Sequence, residues 1–144
     1  MSIRQISVFL ENRPGALNEM TDALTAAKID MRALSLAEAA DFGIARLIVD
    51  DVYAATNALK EAGFVSNLTP VLAYAVPDEP GGLHKLLGEF TAAGVSIEYM
   101  YAFLGGASSQ HAYMLFRVAD DKAAEAALAG KGLQPLTQED VAKI

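Results

Sequence analysis

The sequence predicts an α+β chain made of two successive β-α-β-β-α-β units, each an antiparallel sheet with its helices on one face. Three observations carry this. Asn12-Arg13-Pro14-Gly15-Ala16-Leu17 returns, with altered side chains, as Asp78-Glu79-Pro80-Gly81-Gly82-Leu83. Each copy follows an alternating apolar run and opens a stretch of apolar residues at helical period. The same order of elements then follows in both halves, at a spacing too long for a solenoid repeat.

In the first half, Ile6, Val8 and Leu10 alternate with Ser7, Phe9 and Glu11. This is a strand pattern, and Phe9 predicts that its second face is partly covered. Arg13-Pro14-Gly15 breaks the strand, and Leu17, Met20, Leu24 and Ala27 recur at helical spacing. Ile29-Asp30-Met31 leads into a second strand through Leu34 and Leu36. Asp41-Phe42-Gly43 supplies a turn, and Ile44 to Val49 form the third strand. Asp50-Asp51 offers an N-cap. Ala55, Ala58, Leu59 and Ala62 mark one face of a second helix, which Gly63 stops. Phe64 to Leu68 give a short fourth strand, and Ser66-Asn67-Leu68-Thr69-Pro70 a brief connection.

The second half repeats the plan. Val71 to Val76 form a strand, and Leu83, Leu86, Leu87, Phe90 and Ala93 a helix face. Ser96 to Leu104 and Tyr113 to Val118 are strands. Asp120-Asp121 precedes a helix with Ala124, Ala127 and Leu128 inward, and Gly132 ends it. Leu133 to Leu136 are the last short strand, and Thr137 with Asp140 forms a capping box for one more helical turn. Gly105 to Gln110 lengthen the second hairpin relative to the first, which predicts the most mobile part of the chain there. The modules are expected at residues 1–68 and 69–144.

A β-α-β-β-α-β unit is the ferredoxin-like plan. Right-handed crossovers put both helices on one face of a four-stranded sheet and leave the other face bare. Two units with almost no linker are expected to pair through edge strands, with the bare faces used in self-association.

Composition narrows the function. The 144 residues are 53% hydrophobic, enough to bury a core. The formal net charge of −7 repels a phosphate backbone and anionic membrane surfaces, so neither nucleic acid nor membrane is an expected partner. There is no cysteine, hence no disulfide, thiolate metal site or thiol nucleophile. The start of the chain lacks the apolar core of a signal peptide, and no apolar run approaches a span of ~20 residues. A soluble cytoplasmic protein is the expectation.

The repeated turn is the strongest candidate site. Gly15-Ala16 and Gly81-Gly82 stand at helix N-termini, where backbone N–H groups lack intrahelical partners and the dipole is positive. Small residues let a carboxylate approach the backbone. Gly81-Gly82 is expected to be the more open pair. A Pro-Gly step is also a plain way to turn a strand into a helix, so this chemistry is not obligatory. Tyr99, Tyr101 and Phe103 share a strand face, read first as a packed interface between modules and second as a pocket lining. His84 is expected on an exposed helix surface. His111 near Ser108 and Ser109 lacks the acid and oxyanion site of a triad. Asp50-Asp51 and Asp120-Asp121 are caps rather than metal ligands, and no phosphate-binding loop or basic-aromatic RNA signature occurs.

Phe9-Leu10-Glu11-Asn12-Arg13-Pro14-Gly15-Ala16-Leu17, a helix, then Lys28-Ile29-Asp30-Met31 resembles an ACT domain. Pro77-Asp78-Glu79-Pro80-Gly81-Gly82-Leu83 through Gly94-Val95-Ser96-Ile97-Glu98 resembles a second. The whole is similar to small stand-alone tandem ACT proteins, some labelled acetolactate synthase regulatory-like. The resemblance implies a non-catalytic regulatory protein that binds a free amino acid where modules meet. No cofactor is expected, and with two distant histidines and no cysteine no metal is expected either. By the resemblance, one site uses Asn12, Gly15, Ala16 and Leu17 with Asp30 and Met31. The other uses Glu79, Gly81, Gly82 and Leu83 with Ser96 and Ile97. In each, the turn takes the carboxylate and the start of the second strand, from the same or the neighbouring module, takes the ammonium. Asp30 and Ser96 depart from the Asn that some members carry. The implied partners are the amino acid, a second copy in a homodimer, and a metabolic enzyme; the alternative is an interaction subunit that needs no ligand.

Overall fold

The computed structural model describes residues 2–104 and 110–144. The first half contributes β1 (Ile3–Glu11), α1 (Ala16–Ala26), β2 (Met31–Ala39), β3 (Phe42–Val49) and α2 (Val52–Glu61). β4 (Val65–Pro77) follows, then α3 (Gly82–Ala92), β5 (Ile97–Ala102), β6 (His111–Val118), α4 (Asp121–Ala129) and α5 (Gln138–Lys143). The antiparallel α+β plan, two modules in succession with the same alternation of strands and helices, is the one expected. The longer loop expected at Gly105 to Gln110 falls outside the described residues, Gln110 excepted.

Among the described residues, six strands form one sheet in the order β2-β3-β1-β4-β6-β5. The expected break at Ser66 to Pro70 is absent, because β4 is a single strand serving both modules. Its first part pairs with β1, from Phe9↔Val65 to Ile3↔Val71. Its second part pairs with β6, from Leu72↔Phe116 to Pro77↔His111. Val65-Ser66-Asn67-Leu68-Thr69 contains no glycine, so the chain runs on without a turn. The modules thus join through a shared strand rather than through two separate edges.

The expected last strand is also corrected: Leu133 to Leu136 are not part of the sheet. Leu136 N–H donates to Ala73 O at 2.7 Å, and residues 133–136 enter no strand ladder among the described residues. The capping box does form. Thr137 and Asp140 exchange side-chain hydrogen bonds with each other's backbone N–H, and α5 follows.

Three apolar cores hold the fold. Strand alternation sends Ile6, Val8, Leu10, Ala45, Leu47 and Val49 against α1 and α2, where they meet Met20, Leu24 and Leu59. Leu72, Tyr74, Val76 and Phe116 pack likewise with Phe90 and Leu128. The alternate residues form the third core. Ile3, Ala33, Ile48, Val71, Ala73 and Leu115 cluster on the opposite face and are joined by Val141 of α5. That face is therefore not bare at its centre. The sheet curls until its outer strands touch: Ala33 of β2 bridges Phe103 just beyond β5, and Leu104 N–H donates to Arg32 O at 2.8 Å. Twisted strands favour such curling. A register shift recurs at Met31/Ala33 and at Ile97/Tyr99, so even the irregularities of the two halves correspond.

Candidate functional site

The two strand-to-helix turns are built alike. In the first, Asn12 N–H donates to Asp41 O (3.0 Å), Arg13 N–H to Glu11 O (2.9 Å) and Ala16 N–H to Arg13 O (3.3 Å). In the second, Asp78 N–H donates to Gln110 O (2.9 Å), Glu79 N–H to Pro77 O (2.9 Å) and Gly82 N–H to Glu79 O (3.1 Å). Each turn tethers its first residue to the neighbouring hairpin and tightens into a left-handed glycine, Gly15 at φ 88° and Gly81 at φ 86°. That conformation is strained for any residue with a Cβ.

The helix starts differ in how they are capped. Asp51, Asp120 and Thr137 side chains accept from the first-turn N–H groups of α2, α4 and α5. Among the described residues, no side chain does so for α1 or α3. The repeated turns thus keep free donors where the helix dipole is positive.

The first turn opens on a cleft of about 350 Å³. Asn12, Arg13, Ala16 and Leu17 line it from the turn and α1, Leu10 and Glu11 from β1. Leu36, Ala37 and Glu38 of β2 and Gly43 of β3 complete it. Every one of these residues belongs to the first half, so the cleft is not the expected one between the halves. Arg13 bridges two carboxylates, Glu11 Oε2 at 2.9 Å and Glu19 Oε2 at 2.7 Å. Its hydrogen bonds to Glu19 and then to Glu11 raise its pKa, and its hydrogen bond in turn lowers that of Glu19. Both charges are therefore fixed at neutral pH.

Asp30 and Met31 lie at the other end of the same module. Strand register places Met31 beside Val49, whereas Glu11 lies beside Phe42. Asp30 is engaged there: its N–H donates to Asp50 Oδ1 (3.0 Å), and its carboxylate pairs with Arg32. Met31 packs on the first core. One helix length separates these residues from the turn that precedes α1.

The second turn meets a more polar cleft of about 420 Å³, lined by Pro77, Asp78, Glu79, Gln110 and His111. Gly82 is not an opening in it. A Cβ on Gly82 would lie 2.2 Å from Pro77 O, so its small size serves the turn's own closure, contrary to the expected openness. Leu83 and Ile97 pack on the second core. Ser96 lines a different cleft, of about 310 Å³, with Gly94, Ala119 and Asp120. Where the first turn carries Asn12-Arg13, the second carries Asp78-Glu79, so it has two carboxylates and no arginine.

The tyrosine stripe packs between modules. Buried Gln5 donates from Nε2 to Tyr99 OH (2.8 Å) and Ser7 Oγ (3.0 Å), and Tyr101 OH donates to Gln5 Oε1 (2.7 Å). The Arg46 guanidinium sits 3.9 Å over the Tyr99 ring. Burial, and then the neighbouring Tyr99, push the Tyr101 phenol well above its ordinary pKa. Burial likewise pushes Tyr74 up to about 12. Among the described residues, no three acidic or histidine side chains gather to hold a metal ion, and no helix is long and apolar enough to cross a membrane.

Sequence reasoning missed Leu36, Glu38 and Gly43 as parts of the cleft. Gly43 was legible as a break in an apolar strand, which often marks close approach by a ligand.

The family model of the ACT domain pair matches residues 1–144. A crystal structure of a protein from Bacteroides thetaiotaomicron is similar over 100% of this chain and 98% of its own, at 40% identity and a TM-score of 0.91. The ligand-free regulatory subunit of aspartate kinase from Thermus thermophilus aligns over 88% of this chain and 91% of its own, at 18% identity and a TM-score of 0.61. The corresponding subunit from Thermus flavus covers 88% of each chain, at 18% identity and a TM-score of 0.55. At that identity the two subunits share the fold alone. A search of the curated proteins finds no match. With both modules in place and the match running the length of the chain, this protein belongs to the ACT domain pair family.

Proposed function

We propose that this chain is a non-catalytic regulatory protein whose ligand is a free amino acid, taken up at the first turn. The observation that carries the reading is the uncapped start of α1, which lines a cleft with an apolar floor. Helix-end N–H groups suit a carboxylate, and leucine side chains suit an apolar body. The second turn, with Asp78 and Glu79 in place of Asn12 and Arg13, suits a carboxylate less. The first site is therefore the principal one, and residues 1–68 act as the sensing module beside 69–144.

Regulation follows if the ligand prefers one packing of the modules, since it can shift an equilibrium only by its difference in affinity for the two states. The rim of the curled sheet supplies a surface for such a change. Phe9, paired with Ile44 and Val65, is exposed on the side away from α1 and α2, as are Phe42 and Val65. In this reading that strip is buried in a homodimer, and a metabolic enzyme receives the signal.

A thermal-shift screen against the free amino acids tests the reading. Binding to the native state must stabilise it, by about 2.7 kcal/mol at a hundredfold excess over Kd. A rise in Tm with one or a few amino acids is expected. A flat screen at millimolar concentrations contradicts ligand binding and leaves an interaction subunit that works without one.

A further inference from the structure

Gly43 lies within β3, in register with Leu10 of β1 on one side and Glu38 of β2 on the other. It is not among the glycines with a left-handed backbone, so its conformation does not require glycine. A strand interior ordinarily disfavours glycine. What its missing side chain does is open the floor of the first cleft. An added Cβ there would stand 3.3 Å from Leu36 Cδ1 and 3.4 Å from Ala37 O, tight but tolerable with a small shift of Leu36.

Glu38 stands at the edge of the same cleft. It is exposed, and among the described residues no cation pairs with it. Of the other acidic groups nearby, Glu11 and Glu19 are held by Arg13, and Asp41 at the hairpin tip does not line the cleft. Asp30, the acid expected to meet an ammonium, is paired with Arg32 at the far end of the module.

Resting on the amino-acid reading above, we propose that Glu38 receives the ligand's ammonium and that Gly43 sets the size of its side chain. The ligand class is then a neutral amino acid with an aliphatic side chain. Its carboxylate meets the Leu17 and Asn18 amides at the start of α1. Its side chain lies over Gly43, between Leu10, Leu17 and Leu36. An acidic side chain is disfavoured by the unpaired Glu38, and a large aromatic one by the limited floor.

The test is calorimetric titration of the full chain with L-alanine, L-valine, L-leucine, L-phenylalanine, L-lysine and L-aspartate. It is run on the wild type and on Glu38→Gln, Gly43→Ala and Asp30→Asn. Aliphatic ligands are expected to bind tightest. Glu38→Gln should weaken all of them by about tenfold or more, the loss of a charge-assisted hydrogen bond. Gly43→Ala should weaken leucine more than alanine, and Asp30→Asn should change affinity by less than about twofold. Urea midpoints of the free proteins check folding, and Glu38→Gln, an exposed change, carries the test alone if Gly43→Ala does not fold. If the wild type binds an amino acid but Glu38→Gln and Gly43→Ala bind it equally well, the assignment falls while amino-acid binding stands. The same holds if aspartate is the preferred ligand, or if Asp30→Asn abolishes binding. If the wild type binds none of the free amino acids, both fall.

Discussion

Tyr74 shows at the residue scale how far a pattern reaches. It occupies, in the second module, the place of Val8 in the first, and the alternation of Val71 to Val76 marks it as inward. It is buried against Phe90 and Phe116, ring centroids at 5.9 and 6.3 Å. Its hydroxyl has no hydrogen-bond partner among the described residues, which no periodicity could reveal. Leaving such a group unpaired costs about 1–3 kcal/mol. Tyr74→Phe is therefore expected to keep or raise stability, by up to about 1 kcal/mol, in urea unfolding. A loss of that size would mean the hydroxyl has a partner. The two internal glycines carry the same lesson. Gly82 was visible in the turn motif, but its reason, the closeness of Pro77 O within the same turn, appears only once that turn has closed. Gly43 was assigned to a turn, whereas it lies in β3 and shapes the cleft. Asp30 was placed with the turn by resemblance, and only strand register separates them.

Local chemistry is most legible at the scale of elements. The Asp51 and Asp120 caps, the Gly15 and Gly81 turns and the Thr137–Asp140 capping box are all set by residues within a few positions of one another. α5 is short and depends on its cap and on Val141, which is fully buried in the third core. Thr137 N–H and Oγ, at 2.8 and 2.9 Å, hold the Asp140 carboxylate below its ordinary pKa of 3.8. A carboxylate with a depressed folded pKa stabilises the fold above its unfolded value. That contribution is lost as pH falls through the folded value. Stability measured by urea against pH should thus decline on the acid side. Asp140→Asn should be less stable at neutral pH and show a shallower acid decline. An identical pH profile in the variant would contradict the role of this cap. What failed at this scale were the ends of strands. The sheet accepts residues 66–70 and not 133–136. β1 supplies a full ladder to the first, with Pro70 opposite Arg4, whereas Leu136 N–H meets Ala73 O without entering a ladder.

The whole molecule is more closed than two ferredoxin-like units joined by an edge. Shared β4, the third core and the Gln5 network tie the modules into one body, with β2 and β5 brought into contact. The repeat made the modules legible, because each encodes its own helix face. Their mutual arrangement was not, since alternation marks a residue as inward without naming what covers it. Gln5 illustrates this: a polar residue among apolar ones, it is buried because Tyr99 and Tyr101 satisfy it from 94 and 96 residues away. The centre of the opposite face is covered, and the rim at Phe9, Phe42 and Val65 remains exposed. If that rim is the dimer contact, Val65→Lys should shift the protein toward monomer in light scattering without lowering the protomer's own unfolding free energy by more than ~0.5 kcal/mol. A wild type already monomeric at micromolar concentration, or an unaffected dimer, would place association elsewhere.

The central claim is that the first turn, and not the second, receives a free amino acid. Amide chemical shifts followed by nuclear magnetic resonance during titration with the amino acid that raises Tm most test it directly. Leu17, Asn18, Glu38 and Gly43 amides should move in a saturable manner, with the Gly82 and Leu83 amides still. Movement confined to the second turn, or none at all, would contradict it.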